Sequence, residues 1–111
     1  MAVALLEENP VMTPELYDRV RRRLDLEHHP AAGLIFHAAG VGRDSWVAYD
    51  VWESRAAWDR FLEDRLQPAV RDVFSAAGLE LPPPHRLEIF ELHTLLMDAP
   101  RPEDADTSTW A

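Results

Sequence analysis

The chain has 111 residues, a formal net charge of −9, no cysteine and no lysine, so it has room for one domain and its 11 basic residues are all arginine. That composition excludes disulfides, thiol catalysis, thiolate metal sites and lysine Schiff-base chemistry. An acidic surface also argues against nucleic acid and anionic membranes, whose phosphates must be met by basic groups.

Residues 1–6 (MAVALL) predict a short apolar strand, ended by Glu7, Glu8, Asn9 and Pro10. A helix follows. Thr13 suits the N-cap, Pro14 the first helical position, and Glu15 complements the positive end of the helix dipole. Met12 and Tyr17 are spaced as a hydrophobic staple. Leu16, Val20 and Leu24 recur every four residues with Tyr17 alongside, and Pro30 and Gly33 are the expected stop. The run Arg21, Arg22, Arg23 is flanked by acids and reads as a solvated helix face.

Residues 33–39 (GLIFHAA) predict the second strand, 40–44 a turn, and 45–52 (SWVAYDVW) the third strand, together a hairpin. Ser54 caps a second helix along which Trp58, Phe61, Leu62 and Leu66 share one side. Pro68 cannot donate a backbone hydrogen bond and should break or kink that helix, which continues to Gly78. Pro82, Pro83 and Pro84 predict a stiff connector, and 85–96 (HRLEIFELHTLL) the fourth strand. Residues 1–97 thus form the domain, and 98–111 an acidic, aperiodic tail carrying Trp110. No stretch is long and apolar enough to span a membrane and no signal-peptide pattern opens the sequence, so a cytoplasmic protein is expected.

Strand, helix, strand, strand, helix, strand is the ferredoxin-like βαββαβ order of an α+β domain: a four-stranded antiparallel sheet with both helices on one face. A sheet face left to water should carry polar residues in alternation. Here both phases are apolar. Val47, Tyr49 and Val51 oppose Trp46, Ala48, Asp50 and Trp52, and Phe90 and Leu92 oppose Leu87, Ile89, Glu91 and His93. The uncovered face therefore needs a partner, and a second copy is the simplest one, giving a homodimer.

Polar residues on a doubly covered sheet are the informative ones. They share the mixed phase, which is assigned to a pocket under the helices: His37, Asp50 beside Trp46 and Trp52, and Glu91 with His93. With Ala39 set opposite Trp46, His37 falls opposite Ala48 and diagonal to Asp50, roughly 7–8 Å away along the backbone. His37 is then either a general base oriented by Asp50 or a histidine satisfied by a backbone carbonyl. Trp46, Trp52 and Tyr49 are either core packing or the wall of a site for a flat aromatic ligand, with Glu91 as a further substrate contact. Adjacent His28 and His29 point different ways, no zinc motif occurs, and Gly40 with Gly42 lacks the rest of a dinucleotide fingerprint. No metal site is expected.

The segment Gly33–His37, the run Val51, Trp52, Glu53, Ser54, and the following Trp58, Phe61, Leu62, Leu66 and Pro68 resemble the dimeric α+β barrel superfamily, in particular its antibiotic-biosynthesis monooxygenase-like small proteins. The resemblance implies that two sheets pack face to face while each protomer keeps its own pocket. Polyketide cyclases of that superfamily are similar in placing a key histidine on the last strand, which points to His93 as an acid/base beside His37 and Asp50. Haem-degrading members bind iron through a helix histidine, and residues 54–77 contain none. The expected activity is a cofactor-independent, monooxygenase-like proton abstraction on a polyketide or aromatic intermediate. The alternatives are a cyclase or isomerase using the same residues, and a non-catalytic ligand-binding dimer.

Overall fold

The computed structural model describes residues 1–81 and 86–97. The expected tail, Trp110 and the triple proline lie outside the described residues. Strand β1 (Val3–Asn9) leads to helix α1 (Pro14–Leu24), then to β2 (Leu34–Val41) and β3 (Trp46–Trp52). Helix α2 (Arg55–Phe61) passes through a π-helical turn (Leu62–Leu66) into α3 (Gln67–Ala76), and β4 (Arg86–Glu91) completes the sheet. The strand order is β2-β3-β1-β4 with every neighbour antiparallel, so this is the expected α+β ferredoxin-like arrangement. Among the described residues no helix is long and apolar enough to cross a membrane.

Thr13 caps α1 by accepting the Leu16 N–H at 3.2 Å, and Pro14 takes the first helical turn. The helix ends earlier than Pro30. Asp25 adopts a left-handed conformation (φ 50°) and its carboxylate meets His28 Nδ1 at 2.8 Å, a local bond that competes with further helix. The freed carbonyls are taken up by Arg65 from the π-helical turn, which donates to Leu24 O at 3.0 Å, His29 O at 2.7 Å and Pro30 O at 3.1 Å.

Pro68 does interrupt the second helix, in the form of the π-helical turn just before it. The Gln67 N–H reaches back to Leu62 O, and α3 restarts with Pro68 in its first turn, where a missing N–H costs nothing. Two apolar clusters result. Leu16, Val20 and Leu24 of α1 pack on Ala69, Val73 and Phe74 of α3, while Val3, Leu5 and Trp52 of the sheet pack on Ala57 and Trp58 of α2.

Three strand limits differ from expectation. β1 runs on to Asn9 because β3 still offers partners, Glu7 opposite Ala48 and Asn9 opposite Trp46. Asn9 Oδ1 then accepts from Val11 N at 2.9 Å and Met12 N at 3.2 Å, which turns the chain. β2 runs to Val41, because Gly42 N–H donates to Ser45 O at 2.8 Å and moves the turn two residues onward. β4 stops at Glu91, which pairs with Val3, the first residue of β1; beyond it, among the described residues, the ladder continues only as Leu92 N–H donating to Ala2 O at 2.9 Å.

The outer face of the sheet carries Ala4, Leu6, Phe36, Tyr49, Val51 and Phe90, in the register opposite to the helix-facing residues. Ala4 and Val51 are buried by their neighbours, whereas Phe36 and Phe90 stand 43% and 45% exposed.

Candidate active site

A cavity of about 350 Å³ opens between the two apolar clusters, walled by α1 on one side, the π-helical turn and its flanking helices on another, and the sheet as floor. The floor can be read in rows across the strands. One runs His37, Asp50, Leu5, Ile89; the next runs Ala39, Ala48, Glu7, Leu87; Val41, Trp46 and Asn9 form a third. The two alanines lower the middle row and leave space above it.

The hairpin register decides the chemistry. The two-residue shift of the turn sets His37 directly opposite Asp50 instead of diagonal to it. His37 Nδ1 and Asp50 Oδ1 are 2.5 Å apart, with side chains 24% and 15% exposed. A bulge between Leu34 and Phe36 adds one residue to β2, so Leu34 faces the helices as His37 does. Asp50 Oδ2 accepts a second bond from Trp52 Nε1 at 3.2 Å. Trp52 is fully buried against Trp58 and Phe61, so it fixes the carboxylate as a rigid anchor. A carboxylate only accepts, so Nδ1 carries the imidazole proton and Nε2 is the basic nitrogen.

That nitrogen is occupied. The Tyr17 hydroxyl, delivered from α1, lies 2.5 Å from His37 Nε2 and donates to it. The Tyr17 ring packs on Trp46 with centroids 4.7 Å apart, and Arg21, one helical turn on, approaches the phenol oxygen at 3.5 Å. Asp50, His37, Tyr17 and Arg21 thus form one chain of polar groups crossing from the sheet to the helix. Glu7 completes the charged set. Burial, and secondarily the negative charge of Asp50, hold its carboxyl above the ordinary value of 4.5.

The residues picked out by sequence therefore divide. His37, Asp50, Trp46 and Trp52 line the cavity. Tyr49 does not: it pairs with Leu6 and Ala38 on the outer face, its ring edge-on to Phe36 at 6.3 Å. Glu91 shares the helix-facing register but sits at the exposed end of β4, and His93 lies past that end, also exposed. Neither joins the cavity: Glu91 pairs with Val3 at the end of β4 away from Leu87, and His93 lies beyond the last paired residue. His37 and His93 thus do not flank a common site within the protomer. Tyr17 and Glu7 were missed. Tyr17 was hidden in the apolar stripe of its helix, and Glu7 was read as a strand end, though it continues the alternation Val3, Leu5, Glu7. Among the described residues no group of three or more His, Asp or Glu is placed to hold a metal ion.

No family model matches the sequence, and no curated protein matches it. Solved structures do. A proposed antibiotic biosynthesis monooxygenase from Chloroflexus aurantiacus superposes with a TM-score of 0.59 at 14% identity, over 87% of this chain and 98% of that one. SnoaB, a cofactor-independent oxygenase from Streptomyces nogalater, gives 0.56 at 18% identity, over 87% and 97%. A heme-degrading protein from Mycobacterium tuberculosis gives 0.53 at 18%, over 87% and 100%. Such identities carry the fold and no more. The chain therefore shares the four-stranded α+β fold of the antibiotic-biosynthesis monooxygenase-like proteins.

Proposed function

We propose that the protein is a cofactor-independent enzyme that withdraws an acidic proton from a flat, largely apolar substrate, and that oxygen then attacks the resulting carbanion. The observation that carries this reading is the Asp50–His37–Tyr17 chain inside a cavity walled mostly by apolar and aromatic side chains. His37 takes up the proton, and Asp50 stabilises the imidazolium that forms. A cavity of about 350 Å³ falls in the size range of small-molecule sites, and Trp46 offers a ring face to an aromatic ligand. The fold shared with a cofactor-independent oxygenase favours oxygenation over ring closure, which would begin with the same proton removal.

The protein works as a homodimer. A second copy covers the outer sheet face, where Phe36 and Phe90 would otherwise stay half in water.

Anthrone tests the activity, being a flat tricyclic ketone with an acidic methylene. Anthrone and one O₂ give anthraquinone and one water, so oxygen uptake and quinone absorbance should rise together. We expect the wild type to exceed the buffer rate at least tenfold, and His37→Gln to lose about 10²–10⁴ of the enhancement. A wild type that stays at the buffer rate, with anthrone and with related enolisable polycyclic ketones, defeats the oxygenase reading. Conversion without oxygen would replace it by an isomerase or cyclase.

A further inference from the structure

We propose that Tyr17 is the group that touches the substrate, and that His37 receives the proton only through it. This rests on the proton-abstraction reading above and changes which atom performs the first step. Both ring nitrogens of His37 are engaged, Nδ1 with Asp50 and Nε2 with the Tyr17 hydroxyl. A substrate could reach a basic nitrogen only by displacing Tyr17, whose ring is clamped against Trp46 at 4.7 Å and whose hydroxyl closes the short bond to Nε2. The phenol oxygen is placed otherwise. It donates its one proton to Nε2, receives only a long approach from Arg21 at 3.5 Å, and keeps acceptor capacity toward the cavity that Tyr17 lines.

The step balances without any outside reagent. The substrate's proton passes to Tyr17 Oη while the phenol's own proton passes to His37 Nε2. The products are a substrate anion, a neutral tyrosine and an imidazolium held by Asp50. The charged groups around this path are Arg21 from α1, Asp50 from β3 and Glu7 from β1. Arg21 is the cation nearest the phenol oxygen and so becomes the counter-charge for the substrate anion formed there. On this basis the substrate presents an acidic O–H or C–H at the α1 side of the cavity and its apolar body toward Trp46.

The test uses para-nitrophenol, a flat acid whose ionised form is read directly by absorbance. Binding is followed by tryptophan fluorescence, and the ionised fraction of bound probe is followed against pH for wild type, Tyr17→Phe and His37→Gln. Arg21 keeps its approach to the Tyr17 hydroxyl in wild type and His37→Gln, so comparing those two isolates the proton acceptor from the nearby cation. In the wild type the bound probe should ionise at least about one pH unit lower than free probe, a tenfold shift. Tyr17→Phe, which keeps the ring on Trp46, should bind within about threefold of wild type yet lose that shift. His37→Gln, which can accept the Tyr17 hydrogen bond but not a proton, should also bind and lose it. A shift that survives in Tyr17→Phe overturns the role of Tyr17 and leaves direct abstraction by His37 standing. A wild type that binds no probe, or binds it without a shift, overturns the proton-accepting site itself.

Discussion

Asp50 accepts from two donors at once, and replacing it by alanine tests what holds the site in register. Its Oδ2 serves the indole N–H of Trp52, a side chain only 1% exposed. In Asp50→Ala that buried donor loses its acceptor, and an orphaned buried donor costs about 1–3 kcal/mol. The His37 Nδ1–H fares better, because His37 is 24% exposed and opens on the cavity. Water can replace the carboxylate there, so the loss is the net worth of one charge-assisted bond, about 1.5 kcal/mol. Removing the charge also relieves Glu7, whose carboxyl feels Asp50, and this offsets part of the cost. The sum is a destabilisation of about 2–4 kcal/mol, read by urea unfolding at fixed protein concentration. Asp50→Asn keeps one acceptor for Trp52 and should cost about half as much. A double-mutant cycle isolates the pair. In a Trp52→Phe background no indole donor remains to be orphaned, so Asp50→Ala should cost about 1–2 kcal/mol less than in the wild type. Equal costs in the two backgrounds, within about 0.5 kcal/mol, would refute the argument that Trp52 anchors the carboxylate.

Gly33 has φ +89°, and a Cβ there would lie 2.6 Å from Ala57 Cβ, so Gly33→Ala should cost about 1–2 kcal/mol in backbone strain plus about 1–3 in overpacking; thermal unfolding near the wild-type midpoint would contradict this. Arg65→Leu leaves the part-buried Leu24 carbonyl without its donor, while the exposed His29 and Pro30 carbonyls turn to water, and should lower stability by about 1–2 kcal/mol in urea, whereas an unchanged midpoint would deny its capping role. Glu7 binds its proton more tightly in the folded state than in the unfolded one, so its contribution is fully present below pH 4.5 and is lost as pH rises through its raised value. Glu7→Gln should flatten that fall and be at least as stable as wild type at neutral pH, and urea midpoints measured across pH check it: identical slopes in both proteins would sink the claim. Phe36→Asp with Phe90→Asp puts charge on the outer sheet face and should convert a dimer to a monomer by sedimentation velocity, while a wild type already monomeric at the same concentration would rule out the proposed interface.

The element order and the two phases of β3 were legible in the amino-acid sequence, whereas the face each residue presents was not: the bulge in β2 turns Leu34 to the helices, and Tyr49 lies on the outer face. Alternation and capping are local properties: Thr13, Ser54 and Pro14 act where they stand, and the two phases of β3 follow from period two alone. It also singled out His37 and Asp50, because a charged residue in a mixed apolar strand is conspicuous. What tertiary structure decided was which polar groups meet. Register is set between strands: the Gly42–Ser45 turn brought His37 directly across from Asp50, while pairing with β1 put Glu91 at the far end of β4 and left His93 beyond it, both outside the cavity. Tyr17 shows the difference most plainly. Helical spacing places it beside Leu16 and Val20 on the buried stripe, where a phenol reads as core. Only the packing of α1 over the hairpin sets its hydroxyl against His37 Nε2, because that contact joins residues twenty positions apart on different elements, and no local periodicity encodes such a distance.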